Sequence, residues 1–285
     1  MNQLLRPYRP HRMAVEMTER EVFELAELAQ LSPEYKTGDL IGKRPAFSSA
    51  LAGMDMALKA DNGGPEIKYR FVDAHKMLWD DGAGEREEYY EALQIDKAVY
   101  LVAYLQKNSR PVTSCSIVLD LEMNLQTMII SPLGASPLSA RYVEQRVYHG
   151  YIEREGAPRP VAWRHQPTRD LSGHSMGWSY RDDMTSQHIF GSPYSIAWVI
   201  LQGPGSGLLG CAPAKYFRIK EHVYLYTWVE TFGSGQQGVV LMNKKIMHDV
   251  GTFYGITHGQ RFEFYTYGAR GYDLGAYDVA RFFKW

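Results

Sequence analysis

An internal repeat constrains the fold of this chain more than any other feature of its sequence. Residues 95–106 (IDKAVYLVAYLQ) align without a gap on residues 219–230 (IKEHVYLYTWVE), an offset of 124 residues. After a one-residue gap, SIVLD at 116–120 aligns on VVLMN at 239–243, and upstream DLIG at 39–42 resembles DLSG at 170–173. Three matches in the same order predict a duplicated structural unit.

The pattern within each copy indicates β structure. Short alternating runs are separated by Gly, Pro, Asp and Asn, without helical spacing between them; examples are residues 66–72, 98–106, 114–121, 127–131, 194–201, 216–230, 238–242 and 262–267. Runs of this kind predict an antiparallel barrel or sandwich and disfavour a parallel α/β fold. The fold class we predict is therefore mainly all-β, with two barrels in tandem.

The remaining segments complete a predicted domain plan. Residues 1–34 form an arm and a short amphipathic helix, which begins at the capping box Thr18-Glu19-Arg20-Glu21 and ends at Leu31. The first barrel spans residues 35–150 and the second spans residues 168–285. The Arg- and Pro-rich residues 151–167 form the linker.

Composition narrows the class of partner. The formal charge is −1, which gives no net field to attract nucleic acid or an anionic membrane, and no stretch nears the ~18 apolar residues of a membrane span. The two cysteines and the absence of an apolar leader favour a cytoplasmic protein. Tyr (20) outnumbers Phe (11), which suits a binding lumen. We expect a small-molecule partner, no nucleic acid and no membrane, and we leave a homodimer open.

Two motifs resemble catalytic signatures. Gly173-His174-Ser175-Met176-Gly177 matches the nucleophile elbow G-x-S-x-G, but its polar, Pro-broken flanks do not fit a strand-turn-helix. A serine hydrolase using Ser175, with Asp249 and His258, remains a remote alternative. Residues 205–210 (GSGLLG) match G-x-G-x-x-G, yet no helix pattern follows, so we predict a glycine-rich hairpin loop. The nine histidines show no metal-ligand spacing, and we expect no metal and no cofactor.

Several segments of the second half resemble a known family. In order they are QHI at 187–189, QGP at 202–204, YFRI at 216–219, VYLYTWVE at 223–230, GVVL at 238–241 and DVG at 249–251. They resemble the C-terminal domain of the MoaF family, named for molybdenum cofactor biosynthesis protein F, and the first half resembles its N-terminal domain. The resemblance implies two lipocalin-like (calycin) barrels over about residues 35–274. The sequence departs from the family pattern at Val229, where Arg is usual, so a ligand contact made by that Arg would be absent.

The strand at residues 223–230 predicts the position of a site. Alternation places Tyr224, Tyr226, Trp228 and Glu230 on one face, and an aliphatic set on the other. We assign the aromatic face to the lumen, because small-molecule sites are mostly apolar with a few polar groups. In the first copy this face carries Tyr100, Val102, Tyr104 and Gln106, which lacks the acid, so we favour the second barrel.

Roles follow from the chemistry of these side chains. Burial among rings should raise the pKa of Glu230 into the range of a general acid or base, unless the residue ends its strand facing water. His188, which can titrate near neutrality, is its expected partner, with Tyr226 as a catalytic hydroxyl; a structural role for His188 is the alternative. The expected ligand contacts are Trp198, Tyr216, Tyr224, Trp228, Tyr265, Tyr100 and Tyr104.

Two functions are consistent with this arrangement. The first is a cofactor-independent lyase, isomerase or cyclase that acts on a small, largely apolar or aromatic molecule. The second is a non-catalytic carrier of such a molecule. We favour the enzyme, because a carrier of an apolar ligand has little use for a buried carboxylate and histidine.

Overall fold

The computed structural model describes residues 42–109, 111–133, 143–160, 163–230, 236–256 and 262–279. The helix expected at residues 18–31 lies outside the described residues. Within them every regular element is a β-strand, which confirms the predicted all-β class. None of these described segments forms a helix with the length and apolar character needed to cross a membrane.

The strands form two closed antiparallel barrels in tandem, each of eight strands. The first barrel contains β1 (Asp55–Ala60), β2 (Glu66–Phe71), β3 (Lys76–Asp80), β4 (Arg86–Asp96), β5 (Val99–Gln106), β6 (Thr113–Asp120), β7 (Leu125–Pro132) and β8 (Arg146–Glu153). After the short strand β9 (Gln166–Pro167), the second barrel contains β10 (His174–Arg181), β11 (Met184–Ser192), β12 (Ser195–Gln202), β13 (Leu209–Lys220), β14 (Val223–Val229), β15 (Gln237–Asn243), β16 (His248–Ile256) and β17 (Phe262–Ala276).

Each barrel closes through antiparallel pairing of its first and last strands, β1 with β8 and β10 with β17. In the second barrel the long strand β13 pairs with both β12 and β14, which completes the ring, and β9 adds to its edge. The sequence run at residues 216–230, which we read as one strand, is two strands joined by a tight turn. The turn was missed because His222 adopts a left-handed conformation (φ 62°) that carries no Gly or Pro signal.

The tight turns repeat between the barrels. Ala98 (φ 57°) stands 124 residues before His222, and both are left-handed residues of the equivalent hairpin. One hairpin later, the carboxylate of Asp120 accepts the backbone N–H groups of Glu122 and Met123. Asn243 does the same for the equivalent turn of the second barrel. Strand number, register and turn geometry therefore all follow the repeat read from the sequence.

The aliphatic faces of the aligned strands pack the two barrels against each other. Alternation puts these side chains outside both lumens, where they form one shared buried cluster. Its members are Leu93, Ile95, Val99, Leu101, Val118, Ile129, Phe217, Ile219, Val223, Leu225, Val239, Leu241 and Val250. Hydrogen bonds cross the same interface, including Ser116 Oγ to Thr252 Oγ1 (2.9 Å) and Tyr254 Oη to the Val112 carbonyl (2.8 Å). The aromatic faces of the same strands therefore point into the two lumens.

Candidate active site in the second lumen

Glu230 lies at the inner wall of the second barrel, just after β14, and not in bulk water. Two indoles hydrogen-bond its carboxylate: Trp228 Nε1 donates to Oε1 (2.7 Å) and Trp198 Nε1 donates to Oε2 (3.2 Å). The residue is 8% exposed, so the water-facing alternative is wrong. Burial raises the pKa of Glu230 to about 7, and the two indole N–H groups oppose part of that rise. The carboxyl can therefore gain or lose a proton near neutral pH.

His188 lies on β11 and forms a second polar pair with Tyr226. Its Nδ1 is 3.0 Å from the Tyr226 hydroxyl, and both side chains are buried. Desolvation lowers the pKa of His188 to about 3, so the expected titration near neutrality is wrong. The imidazole is a neutral group whose hydrogen bond orients the phenol.

The two polar pairs are neighbours without being bonded to each other. His188 is opposite Trp198 in the β11–β12 register, and Trp198 in turn donates to Glu230. The His188 ring also meets Trp228 edge-on, with ring centroids 5.8 Å apart. In the described part of the chain no hydrogen bond joins His188 to Glu230 directly, so the two indoles separate the imidazole from the carboxyl.

Glycines on adjacent strands set the positions of the lumen indoles. Trp198 pairs with Gly210 across β12–β13, and Trp228 pairs with Gly238 across β14–β15. A Cβ on Gly210 would lie 2.7 Å from the Trp198 ring, and one on Gly238 would overlap the Trp228 ring. Both rings therefore lie over the bare backbone of their neighbours, along the wall of the barrel.

The other residues expected to line this barrel, Tyr216, Tyr224 and Tyr265, lie at different positions along the barrel axis. The Tyr216 hydroxyl donates to the Ser195 carbonyl (2.7 Å), and its ring packs against Phe190. Tyr224 reaches the end opposite Glu230, where its hydroxyl donates to Asp170 (3.2 Å). Tyr265 packs against Phe253, with centroids 5.7 Å apart.

Two inward-facing aromatic side chains near Glu230 are not fully buried. Trp198 and Phe253 are partly exposed, whereas Tyr226 and Tyr267, further along the same walls, are fully buried. The rings nearest Glu230 are therefore less completely buried than those deeper along the same walls.

Sequence reasoning missed a second buried acid in this lumen. Asp249 lies on β16 with the same facing as Gly251, whose backbone supports the Tyr267 ring. Its carboxyl is fully buried, and desolvation raises the pKa of Asp249 well above its ordinary value, opposed by the Ala269 N–H (2.7 Å). Alternation along residues 248–256 puts Asp249 on the face opposite Val250, but only the place of Val250 in the interface cluster shows which of the two faces is the inner one.

The first lumen places Tyr100 and Tyr104 on its inner wall, as expected. The Tyr104 hydroxyl bonds that of Tyr69 (2.8 Å) in a fully buried pair. The Tyr100–Gln106 face carries no acid, but Glu88 on the neighbouring strand β4, which sequence reasoning did not single out, faces the same lumen. The side chain is 3% exposed, and burial raises the pKa of Glu88 to about 7, opposed chiefly by Lys107.

The motifs resembling catalytic signatures do not form sites. Ser175 lies within strand β10, facing away from the lumen that holds Asp249, and its hydroxyl accepts a bond from Gln187 Nε2 (2.7 Å). That placement excludes both the elbow and the proposed pairing with Asp249; His258 lies outside the described residues. The glycine-rich residues 203–207 form the turn between β12 and β13, as predicted. No group of three or more His, Cys, Asp or Glu able to hold a metal ion occurs among the described residues.

Comparisons with known proteins agree with the two-barrel division. A family model described as the MoaF N-terminal domain matches residues 42–135, and one described as the MoaF C-terminal domain matches residues 165–276. No curated protein matches the chain. A solved structure described as a candidate β-lactamase from Burkholderia vietnamiensis shows 13% identity and a TM-score of 0.32, over 36% of this chain and 95% of its own. That likeness is too weak to inform function. The two family matches, one on each barrel, show that the chain belongs to the MoaF family.

Proposed function

We propose that the second barrel binds a small, largely apolar or aromatic molecule in its lumen and catalyses a proton transfer on it without a cofactor. The family and the two barrels are compatible with small-molecule binding. The observation that carries the catalytic step is the Glu230 carboxyl, which is oriented by two indoles inside an aromatic lumen and has a pKa near 7. A group with that pKa exchanges protons efficiently at neutral pH.

We assign a separate role in the reaction to each polar group near Glu230. Glu230 acts as the general base, because its ionised form is accessible near pH 7. Tyr226 is the hydrogen-bond donor to the substrate: neutral His188, with its proton on Nδ1, donates to the hydroxyl oxygen and leaves the phenol O–H for the substrate. Trp198 and Trp228 contact the rings or chains of the substrate. A lyase, isomerase or cyclase reaction fits this set, since each needs proton transfer and no redox step.

A carrier without catalytic activity is the second candidate. It is favoured by the separation of His188 from Glu230, since the acid–base groups are not assembled into one hydrogen-bonded pair before a ligand binds. It is also favoured by the satisfied state of the Glu230 carboxyl, whose two oxygens each accept one indole N–H.

Substitution of Glu230 separates the two candidates. The ligand is first identified by native mass spectrometry of freshly purified protein, and its conversion is then followed by mass spectrometry. For an enzyme we expect Glu230→Gln to lower kcat by about 10²–10⁴-fold, with ligand affinity changed little. Glu221→Gln, which alters an exposed carboxylate in the β13–β14 turn, is the matched control and should behave as the wild type.

The pH profile gives a second test of the same assignment. A general base is active when ionised, so kcat/KM should rise with pH through about 7, the pKa of Glu230. Wild-type turnover in the Glu230→Gln variant would refute the catalytic role. Binding without conversion of the ligand by the wild type would establish the carrier.

A further inference from the structure

One inward position is polar, fully buried and without a complete set of partners in both barrels. In the first barrel it is Gln126 on β7, and in the second it is Asp249 on β16. Gln126 is opposite Leu119 across β6–β7, and Asp249 is opposite Met242 across β15–β16. Leu119 and Met242 align in the sequence repeat, so the two polar residues are structural equivalents.

One of the two carboxyl oxygens of Asp249 has no hydrogen-bond partner among the described residues. Oδ1 accepts the Ala269 N–H (2.7 Å), whereas Oδ2 is buried and meets no hydrogen-bond partner in the described part of the chain. Desolvation raises the pKa of Asp249 well above its ordinary value, which favours the protonated carboxyl. In that form, with Oδ1 accepting, Oδ2–H is a donor on the inward face of β16.

Gln126 is equally buried and even less satisfied. Neither its Nε2 nor its Oε1 has a partner among the described residues, and its exposed fraction is 0%. The amide lies over bare backbone, since a Cβ on Gly150 would be 2.8 Å from Nε2. Each lumen also holds a buried indole N–H without a described partner, Trp79 in the first barrel and Trp178 in the second.

Unpartnered buried polar groups are uncommon in folded proteins and lower stability, so each one calls for an occupant or an explanation. Here they recur at equivalent positions in two lumens that differ at several other positions, such as Val102 against Tyr226. The Gln126 amide and the protonated form of Asp249 can both donate a hydrogen bond without bearing a charge, which suits an uncharged oxygen and disfavours an anion.

We propose that Gln126 and Asp249 are binding residues of two separate ligand sites, one in each barrel. Each donates a hydrogen bond to an uncharged hydroxyl or carbonyl oxygen of a small, otherwise apolar molecule. The site at Asp249 rests on the proposed function, because it is the inner part of the same lumen. The site at Gln126 is independent of it and makes the first barrel a second binding site.

Calorimetric titration of the full chain with 2-naphthol tests both sites. We expect two molecules bound per chain. Gln126→Leu should remove one and Asp249→Leu the other, each with at least a tenfold loss of affinity at its own site. Asp249→Asn is the matched control, because its amide keeps both an acceptor for Ala269 and a donor for the ligand, and it should retain both sites. 2-Methylnaphthalene, which has the shape but no hydroxyl, should bind at least tenfold more weakly than 2-naphthol to the wild type.

The unliganded protein gives a readout that does not depend on the probe. If the Gln126 amide is unpartnered, Gln126→Leu should raise the unfolding temperature; a purely structural amide would lower it. Failure of 2-naphthol to bind, a single site untouched by Gln126→Leu, or a lowered unfolding temperature in that variant would overturn the proposal. Two intact sites together with normal turnover in Glu230→Gln would instead refute only the proposed catalysis.

Discussion

The outer faces of the two barrels are alike, whereas their inner faces differ in the groups that can exchange protons. The interface cluster takes equivalent residues from both copies, such as Leu101 and Leu225. In the lumens, strand register makes Tyr69 and His188 equivalent residues. Tyr69 is opposite Trp79 in the first barrel, and His188 is opposite Trp198 at the corresponding position of the second. A phenol pair in the first lumen is thus replaced by an imidazole–phenol pair in the second.

The buried acids show the same divergence. Glu230 of the second barrel aligns with Gln106 of the first, but Glu88 lies on the adjacent strand at the same end, where the second barrel has Ala212. The acid has therefore changed strand between the copies and not disappeared. Duplication conserved what joins the barrels and left the lumens free to diverge.

The largest expected effect tests the likeness of the outer faces. Leu101→Ala and Leu225→Ala each remove a fully buried side chain from the interface cluster and should each cost about 2–5 kcal/mol of unfolding free energy. Denaturant unfolding should give similar losses for the two, and a much smaller loss for the 68% exposed Leu209→Ala. A large loss confined to one barrel would show that the interface is not shared equally.

The acids should make stability fall with rising pH. Glu230 has a pKa of about 7 when folded against an ordinary 4.5, so between these values the unfolded chain loses its proton first. The unfolding free energy then declines by up to about 3 kcal/mol over this range. Glu230→Gln should flatten the decline measured by denaturant unfolding from about pH 4.5 to pH 7.

Glu88→Gln should flatten the same decline, because burial gives this carboxyl a pKa of about 7 as well. We expect an effect of similar size to that of Glu230, since the pKa of about 7 already includes the opposing contacts of Lys107, through its backbone N–H (3.1 Å) and its ammonium group. A profile unchanged in both variants would mean that neither acid is desolvated.

Gly238→Ala tests how the second lumen is built. The added methyl group would overlap the Trp228 ring. Such overpacking should lower the unfolding free energy by about 1–3 kcal/mol and displace the indole that donates a hydrogen bond to Glu230. Gly191→Ala, on β11 of the same barrel with no atom within 4 Å of the new Cβ, is the matched control. Equal unfolding midpoints and equal ligand affinity for the two variants would contradict the wall arrangement.

The smallest effect concerns charges between the barrels. Lys220 lies 3.4 Å from both Asp96 and Glu122 of the first barrel, in partly exposed pairs. Such pairs contribute about 0–1 kcal/mol, so Lys220→Ala should shift the unfolding midpoint little, and less at high salt. A loss as large as that of Leu225→Ala would show that charge and not apolar packing joins the barrels.

Sequence predicted the fold well because duplication and alternation are local and periodic. The repeat located equivalent strands, and period two separated the lumen face of β14 from its aliphatic face. In the second barrel Glu230 bonds Trp198 and His188 bonds Tyr226, but the expected direct pairing of His188 with Glu230 does not form, and the catalytic role of these residues stays a prediction.

What sequence could not supply depends on neighbouring strands. Glu88 and Asp249 were missed as lumen acids because each lies on a strand whose facing is set by register with its partners. The pKa of His188 was misjudged because its complete burial arises from the closure of the barrel, which no local pattern reports. Left-handed His222 hid a turn for a similar reason, since tertiary pairing overrides the usual glycine preference.

The central claim is that the second lumen holds an acid ready to exchange protons near neutral pH. A ¹³C NMR titration of the glutamate side-chain carboxyls, with the Glu230 signal assigned from the Glu230→Gln variant, measures this directly. We expect that signal to titrate with a midpoint at about 7. A midpoint near the ordinary value of 4.5 would contradict the account.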